Sequence, residues 1–192
     1  MRIRDATPDD WPQIWPFLRE IVAAGETYCW PTDTAEDAAK AWWMAKPGGR
    51  VFVAIADETG TDAATEAGTD AATAAEDAAT DGTVVGTVVG TAELHPNQLA
   101  AGSHVANAGF MVDPAYGGRG IGRALAAHVI EAARGDGYRA MQFNAVVETN
   151  SNAVRLWQSL GFEILATVPE AFTHPSLGFV GLHVMHRTLN RI

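Results

Sequence analysis

The chain has 192 residues, 47% of them hydrophobic and 19% charged, a make-up that allows one compact domain with a real core and excludes a fibrous repeat or a solvated coil. The net charge of −10 and the absence of any Lys or Arg cluster argue against a nucleic-acid surface. One cysteine, Cys29, excludes an intrachain disulfide and fits a reducing cytoplasm; the start MRIRDATPDDWP has no apolar leader, and no run approaches the roughly 18 apolar residues of a membrane span.

Residues 2–5 read as a short strand. Thr7, Pro8, Asp9 and Asp10 have the make-up of a helix start, with a capping residue, an early proline and acids at the positive end of the helix dipole. Pro12 and Pro16 are expected to kink or restart that helix. TAEDAAKAWWMA, with Thr34 and Asp37 at capping-box spacing, predicts a second helix. RVFVAIAD at 50–57 and the β-branched TVVGTVVGTAEL at 83–94 predict strands.

Between those strands lies 57–82, DETGTDAATEAGTDAATAAEDAATDG. It holds eight of the 23 acids and no Lys or Arg, so the rest of the chain carries only −2. The net charge therefore belongs to one low-complexity segment. Its near-repeats contain only Ala and Thr as apolar material, so it reads as an expanded loop insertion rather than a functional repeat.

After it come a strand at 104–112, a helix at 119–134, a strand at 140–147, a helix at 151–160, a strand at 162–168 and a last strand at 179–188. Ile121, Leu125, Val129 and Ile130 have helical spacing. The unit from 104 to 147 is strand, glycine loop, helix, strand, which makes a right-handed crossover between parallel strands. The last two strands can pair antiparallel. The expected fold is thus α/β (α+β), a mixed sheet with helices on both faces, in a single domain over 1–192.

GGRGIG at 117–122 opens the helix of that crossover. Bare backbone leading into a helix N-terminus is an anion site, because the free amides and the dipole point the same way, and Arg119 and Arg123 add full charges. The plainer alternative is a tight turn whose glycines only permit positive φ. A P-loop would need Lys and a hydroxyl where Arg123 and Ala124 stand, and a dinucleotide fingerprint would need its third glycine at Arg123 or Leu125.

FMVDPAYGGRGIGRAL resembles the pyrophosphate-binding motif of the GNAT family of acyl-CoA N-acyltransferases, [Q/R]-x-x-G-x-[G/A], with Gly120 and Gly122 matching and Gly117 in place of the usual Gln or Arg. NSNAVRLWQSLGF resembles the family's second block through Asn150, Ala153, Leu156, Gly161 and Phe162, with Trp157 where many relatives have tyrosine. The resemblance implies a mostly antiparallel sheet of six to seven strands whose central parallel pair splays near Val112 and Val147. It implies acetyl-CoA as co-substrate: pantetheine along the backbone of Phe110, Met111 and Val112, pyrophosphate on Gly117, Gly118, Arg119, Gly120, Ile121, Gly122 and Arg123, and Asn150 and Trp157 beside the arm. Asn150 also suits helix capping. A homodimer is the family-level expectation, and no metal is implied.

The acceptor amine must attack as a free base. At pH 7 that costs about 1.4 kcal/mol for an α-amino group and about 4.6 kcal/mol for a lysine, so the second needs a base more urgently. Glu93 and His104 are the candidates for that base, and the readier alternative for each is a strand residue facing solvent. HVANAGFMV with MQFNAVVETN resembles the branch containing fungal proline-analogue acetyltransferases, which places functional asparagines at Asn107, Asn144 and Asn150 and a pocket aromatic at Phe110. Asparagine can donate to a carboxylate and accept from an ammonium; alternatively, Asn107 and Asn144 serve sheet-edge backbone at the splay. The loop between the first two helices, with Thr27 and Tyr28, is expected over the acceptor. The expected activity is acetyl transfer to the amine of a small molecule, an amino or imino acid. The alternatives are a protein N-terminal or lysine acetyltransferase, and a catalytically silent acyl-CoA-binding sensor.

Overall fold

The computed structural model describes residues 1–56 and 86–189. The acidic tract, and the start of the strand expected from 83, lie outside the described residues. Seven strands form one sheet: β1 (Arg2–Asp5), β2 (Arg50–Ala56), β3 (Thr87–Pro96), β4 (Val105–Val112), β5 (Ala140–Val147), β6 (Glu163–His174) and β7 (Gly178–Thr188), in the order β1-β2-β3-β4-β5-β7-β6. Every neighbouring pair is antiparallel except β4 and β5. The mixed α/β sheet with one central parallel pair is thus the expected one.

Helices cover both faces. On one, α1 (Trp11–Ala24) and α2 (Glu36–Met44) pack with Val53, Ile55, Val88 and Met111. On the other, α3 (Ile121–Gly135) and α4 (Ser151–Ser159) pack with Phe52, Ala54, Ala92, Leu94 and Met141. Central strands apolar on both sides follow from being covered on both sides. In α3 the buried Ile121, Leu125, Val129, Ile130 and Ala133 make one stripe at helical spacing.

Several boundaries differ from expectation. Thr7 to Asp10 form a 3-10 turn running into α1, and the Asp10 carboxylate accepts from the Thr7 N–H at 2.7 Å. Pro12 falls in the first turn of α1, where no N–H is needed, and Pro16 lies inside the helix without restarting it. The stripe Trp11, Ile14, Phe17, Leu18 and Val22 is fully buried, which offsets the lost hydrogen bond. Thr34 does not cap α2: its N–H and hydroxyl both bond back to the Pro31 carbonyl, and Ala35 takes the capping position. β6 continues past 168 through Pro169, which an edge strand accommodates because its outward N–H has no ladder partner to lose, and a register break lies between Val168 and Phe172.

Candidate active site

β4 and β5 pair only at Val105 with Ala140 and Ala106 with Met141. From Asn107 onward they part, and β5 carries a register break between Phe143 and Val146, an irregularity that bends a strand and re-aims side chains. Between them opens a cavity of about 740 Å³. It gathers Thr27, Tyr28, Glu93, Asn107, Phe110, Met111, Val112, Gly122, Asn144, Asn150 and Trp157 into one lining.

Alternation along β4 gives this cavity two chemically distinct sides. Ala108, Phe110 and Val112 pack with the α3–α4 core, whereas Gly109 and Met111 face Trp43 and the α1–α2 core, and Asn107 shares their side. On the α3–α4 side, Trp157 lies 4.9 Å from Phe110 and 4.8 Å from Phe143, ring centre to ring centre. Asn150 caps α4, accepting from the Ala153 N–H at 3.1 Å, and still lines the cavity.

The glycine loop continues this side. Gly118 and Gly120 have φ of +74° and +78°, so glycine is required there by conformation, and nothing stands within 4 Å of where a Cβ would project. Gly120 in the left-handed region also explains why α3 starts at Ile121 rather than 119. Gly122 faces Leu156 and Val112, each 3.7 Å from its notional Cβ. Arg119 lies over the Tyr116 ring and Arg123 donates to the Ser159 hydroxyl at 2.8 Å. An open cradle of bare backbone at a helix N-terminus, flanked by two tethered guanidinium groups, fits a pyrophosphate.

The α1–α2 side is polar. Glu93 is 5% exposed; its Oε1 accepts from Lys46 Nζ at 2.8 Å, and its Oε2 has no hydrogen-bond partner. Lys46 Nζ also lies 3.0 Å from His95 Nε2, while His95 Nδ1 lies 2.9 Å from the Pro96 carbonyl oxygen. Tyr28 plugs the opened edge of β4: its hydroxyl donates to the Phe110 carbonyl at 2.8 Å and accepts from the Phe110 N–H at 3.0 Å. Burial pushes the Tyr28 phenol well above its usual range, and the charge of Glu93 adds to this, so the hydroxyl stays protonated.

Asn107 serves backbone, and Asn144 bonds two other side-chain amides. Asn107 Oδ1 accepts from the Ala108 N–H at 2.8 Å, one of the edge groups left by the splay. Asn144 accepts from Gln142 at 2.9 Å and donates to Asn97 Oδ1 at 2.7 Å. His104 stands apart: it is exposed, just before β4, with Nδ1 3.1 Å from the Ala101 carbonyl oxygen and outside the cavity lining. Lys46, His95 and Asn97 were not anticipated. His95 had a signal, since two residues on from Glu93 it must share that strand's face; Lys46, 47 residues away from Glu93, had none. Among the described residues no cluster of three His, Cys, Asp or Glu side chains is disposed to hold a metal.

Comparison with known proteins follows the same lines. The acetyltransferase (GNAT) family matches residues 62–162. A GCN5-related N-acetyltransferase from Kribbella flavida is 46% identical, superposes with a TM-score of 0.79, and is aligned over 97% of this chain and 96% of that one. The N-acetyltransferase aca1 of Schizosaccharomyces pombe is 36% identical over 78 residues, which is 41% of this chain and 37% of that protein's length. In fold alone, the chain also resembles yncA, a putative acetyltransferase from Salmonella typhimurium solved with its cofactor acetyl-CoA, at 23% identity, a TM-score of 0.74 and coverage of 100% and 95%.

Proposed function

The chain belongs to the GNAT acetyltransferase family, and from that premise we propose that it moves the acetyl group of acetyl-CoA to the amine of a small molecule, an amino or imino acid. The observation that carries this reading is the two-sided slit between β4 and β5. Its α3–α4 side is aromatic and runs into the glycine cradle through Gly122, which suits an apolar arm ending in a pyrophosphate. Its α1–α2 side offers Asn107, Asn144 and Glu93, which suits a small zwitterion: amide N–H for a carboxylate, amide oxygen and carboxylate for an ammonium. The thioester carbon belongs where the two sides meet, beside Phe110.

In this reading the pantetheine arm runs along β4 past Phe110, Met111 and Val112, the Phe110 N–H and carbonyl being already held by the Tyr28 hydroxyl, and residues 117–123 take the phosphates. Thr27 and Tyr28 close over the acceptor. The single cysteine is in keeping with a cytoplasmic location. The exposed Leu165, Val168, Leu177 and Phe179 on β6, β7 and the turn between them are in keeping with a homodimer.

The experiment is thiol release from acetyl-CoA against a panel of azetidine-2-carboxylate, free L-amino acids, and peptides offering an N-terminus or a lysine. Turnover with the free acids is expected. Turnover with peptides alone would make this a protein acetyltransferase, and tight CoA binding with no turnover would make it a sensor.

A further inference from the structure

Three polar or charged side chains are buried among the described residues, and two are fully partnered. Asp10 is held by Arg4 and Thr7; Thr91 donates to the Phe52 carbonyl and accepts from the Trp43 indole. Glu93 differs. A buried carboxylate normally has every oxygen satisfied, because desolvating it otherwise costs several kcal/mol. Here Oε2 has no hydrogen-bond partner, with His95 Nε2 standing 3.4 Å from it, and Glu93 lines the cavity. Opposite it in the β3–β4 register stands Gly109, whose Cβ would come 2.9 Å from Oε1 and 3.2 Å from Trp43, so the carboxylate is seated over bare backbone one residue from Phe110.

We propose that Glu93 Oε2 receives the acceptor's ammonium group and its proton, and that Lys46, fixed by His95, is the positioning residue that holds Glu93 by Oε1 and leaves Oε2 to the acceptor. This rests on the acetyl-transfer reading above. His95 Nδ1 faces a carbonyl oxygen, which can only accept, so the hydrogen sits on Nδ1 and the Nε2 lone pair faces Lys46. Lys46 then donates to both Nε2 and Oε1, and only Oε2 is left for the substrate.

The step balances. One N–H bond of the ammonium breaks, its proton passes to Oε2 and the electron pair stays on nitrogen. That pair forms the C–N bond as the C–S pair leaves with sulfur, and the second nitrogen-bound proton neutralises the thiolate. The products are the amide, free CoA and protonated Glu93, which returns its proton to solvent. The titratable groups that face Glu93 are Lys46 after α2, His95 on β3 and the uncharged Tyr28 hydroxyl from the α1–α2 loop.

The test is the pH profile of kcat/KM with the best amine of the panel for Glu93→Gln, Lys46→Met and Lys46→Arg, alongside the acetyl-CoA Kd and Tm of each. Glu93→Gln should lose at least roughly 100-fold at pH 7, with the deficit shrinking as pH rises towards the acceptor's own pKa. Lys46→Met should move the acid limb upward by about one pH unit or more, since an uncompensated buried carboxylate holds its proton more tightly, and Lys46→Arg should restore it. Acetyl-CoA affinity should be unchanged in all three. A wild-type profile in Glu93→Gln, or a Lys46→Met loss that is equal at every pH, overturns the proposal. If Glu93→Gln fails to fold, the two Lys46 variants decide it. A wild-type enzyme that transfers acetyl to no amine defeats the acetyl-transfer reading instead.

Discussion

On the α3–α4 side of the splay, Phe110, Phe143, Trp157 and Phe162 meet ring against ring, and the wall is made by packing. Across the same strands, on the α1–α2 side, Lys46 bonds Glu93 and His95 while Asn107 and Tyr28 bond β4 backbone, and the wall is made by groups that the splay or burial would otherwise leave unsatisfied. One strand, β4, builds both, because adjacent residues point to opposite faces. The difference teaches that a packed wall tolerates change by volume, whereas a bonded wall fails when one partner goes. It also divides labour: changes on the first side should act on acetyl-CoA, and changes on the second on the acceptor.

The hardest test of that division is Gly122→Val. The free protein has ordinary contact distances at this Cβ position, so folding should survive, but the branched side chain would stand in the cradle and exclude the phosphates. Several charge-assisted hydrogen bonds would go, and the acetyl-CoA Kd, by calorimetry, should rise about 100-fold or more. Next come Asn107→Ala and Asn144→Ala. An orienting bond to a charged group is worth about 1.5–3 kcal/mol, so kcat/KM should fall roughly 10- to 150-fold while acetyl-CoA affinity holds. Loss of acetyl-CoA affinity in either would dissolve the two-sided picture.

Gly109→Ala sharpens it from the bonded side. Its Cβ must displace Glu93 or Trp43, an overpacking that costs about 1–3 kcal/mol and should appear as a lowered Tm together with reduced turnover. Arg4→Met is a control away from the slit. Burial alone would raise the Asp10 pKa, but the Arg4 guanidinium and the Thr7 N–H overcome it and hold that carboxyl below its ordinary value. Its contribution is therefore present above the ordinary carboxylate range and lost as pH falls through the lowered value. Arg4→Met should raise the midpoint of acid unfolding and leave both substrate affinities alone. The smallest effect is expected from replacing residues 59–80 by a Gly-Ser turn: a tract without core-forming side chains should cost no more than a few degrees of Tm and little turnover.

The apolar side was far more legible in the sequence than the polar one. Gly118 to Gly122 and the block from Asn150 to Phe162 are contiguous, and local chain geometry decides what they do. β5 could be bounded at 140–147 from its residues alone, because β-strand pattern is also local. β6 could not be: its second half, PEAFTH, looks like a loop and is a strand only because β7 pairs with it. Lys46 with Glu93, and Tyr28 with Phe110, are 47 and 82 residues apart, and no periodicity joins them. Asn107 and Asn144 were visible as residue types, but their bonds to Ala108 and Asn97 follow from where β4 and β5 separate.

Cys29 sits at the rim of the cavity, exposed, and is the chain's one thiol. The sulfur itself is partly desolvated although the residue is exposed, which pushes the thiol up, so alkylation should be slow at neutral pH and quicken as the solution becomes alkaline. The protein therefore carries a built-in attachment point at its own entrance. A maleimide fluorophore placed there would report on arrivals and departures at the slit, with no second labelled position to confuse the signal.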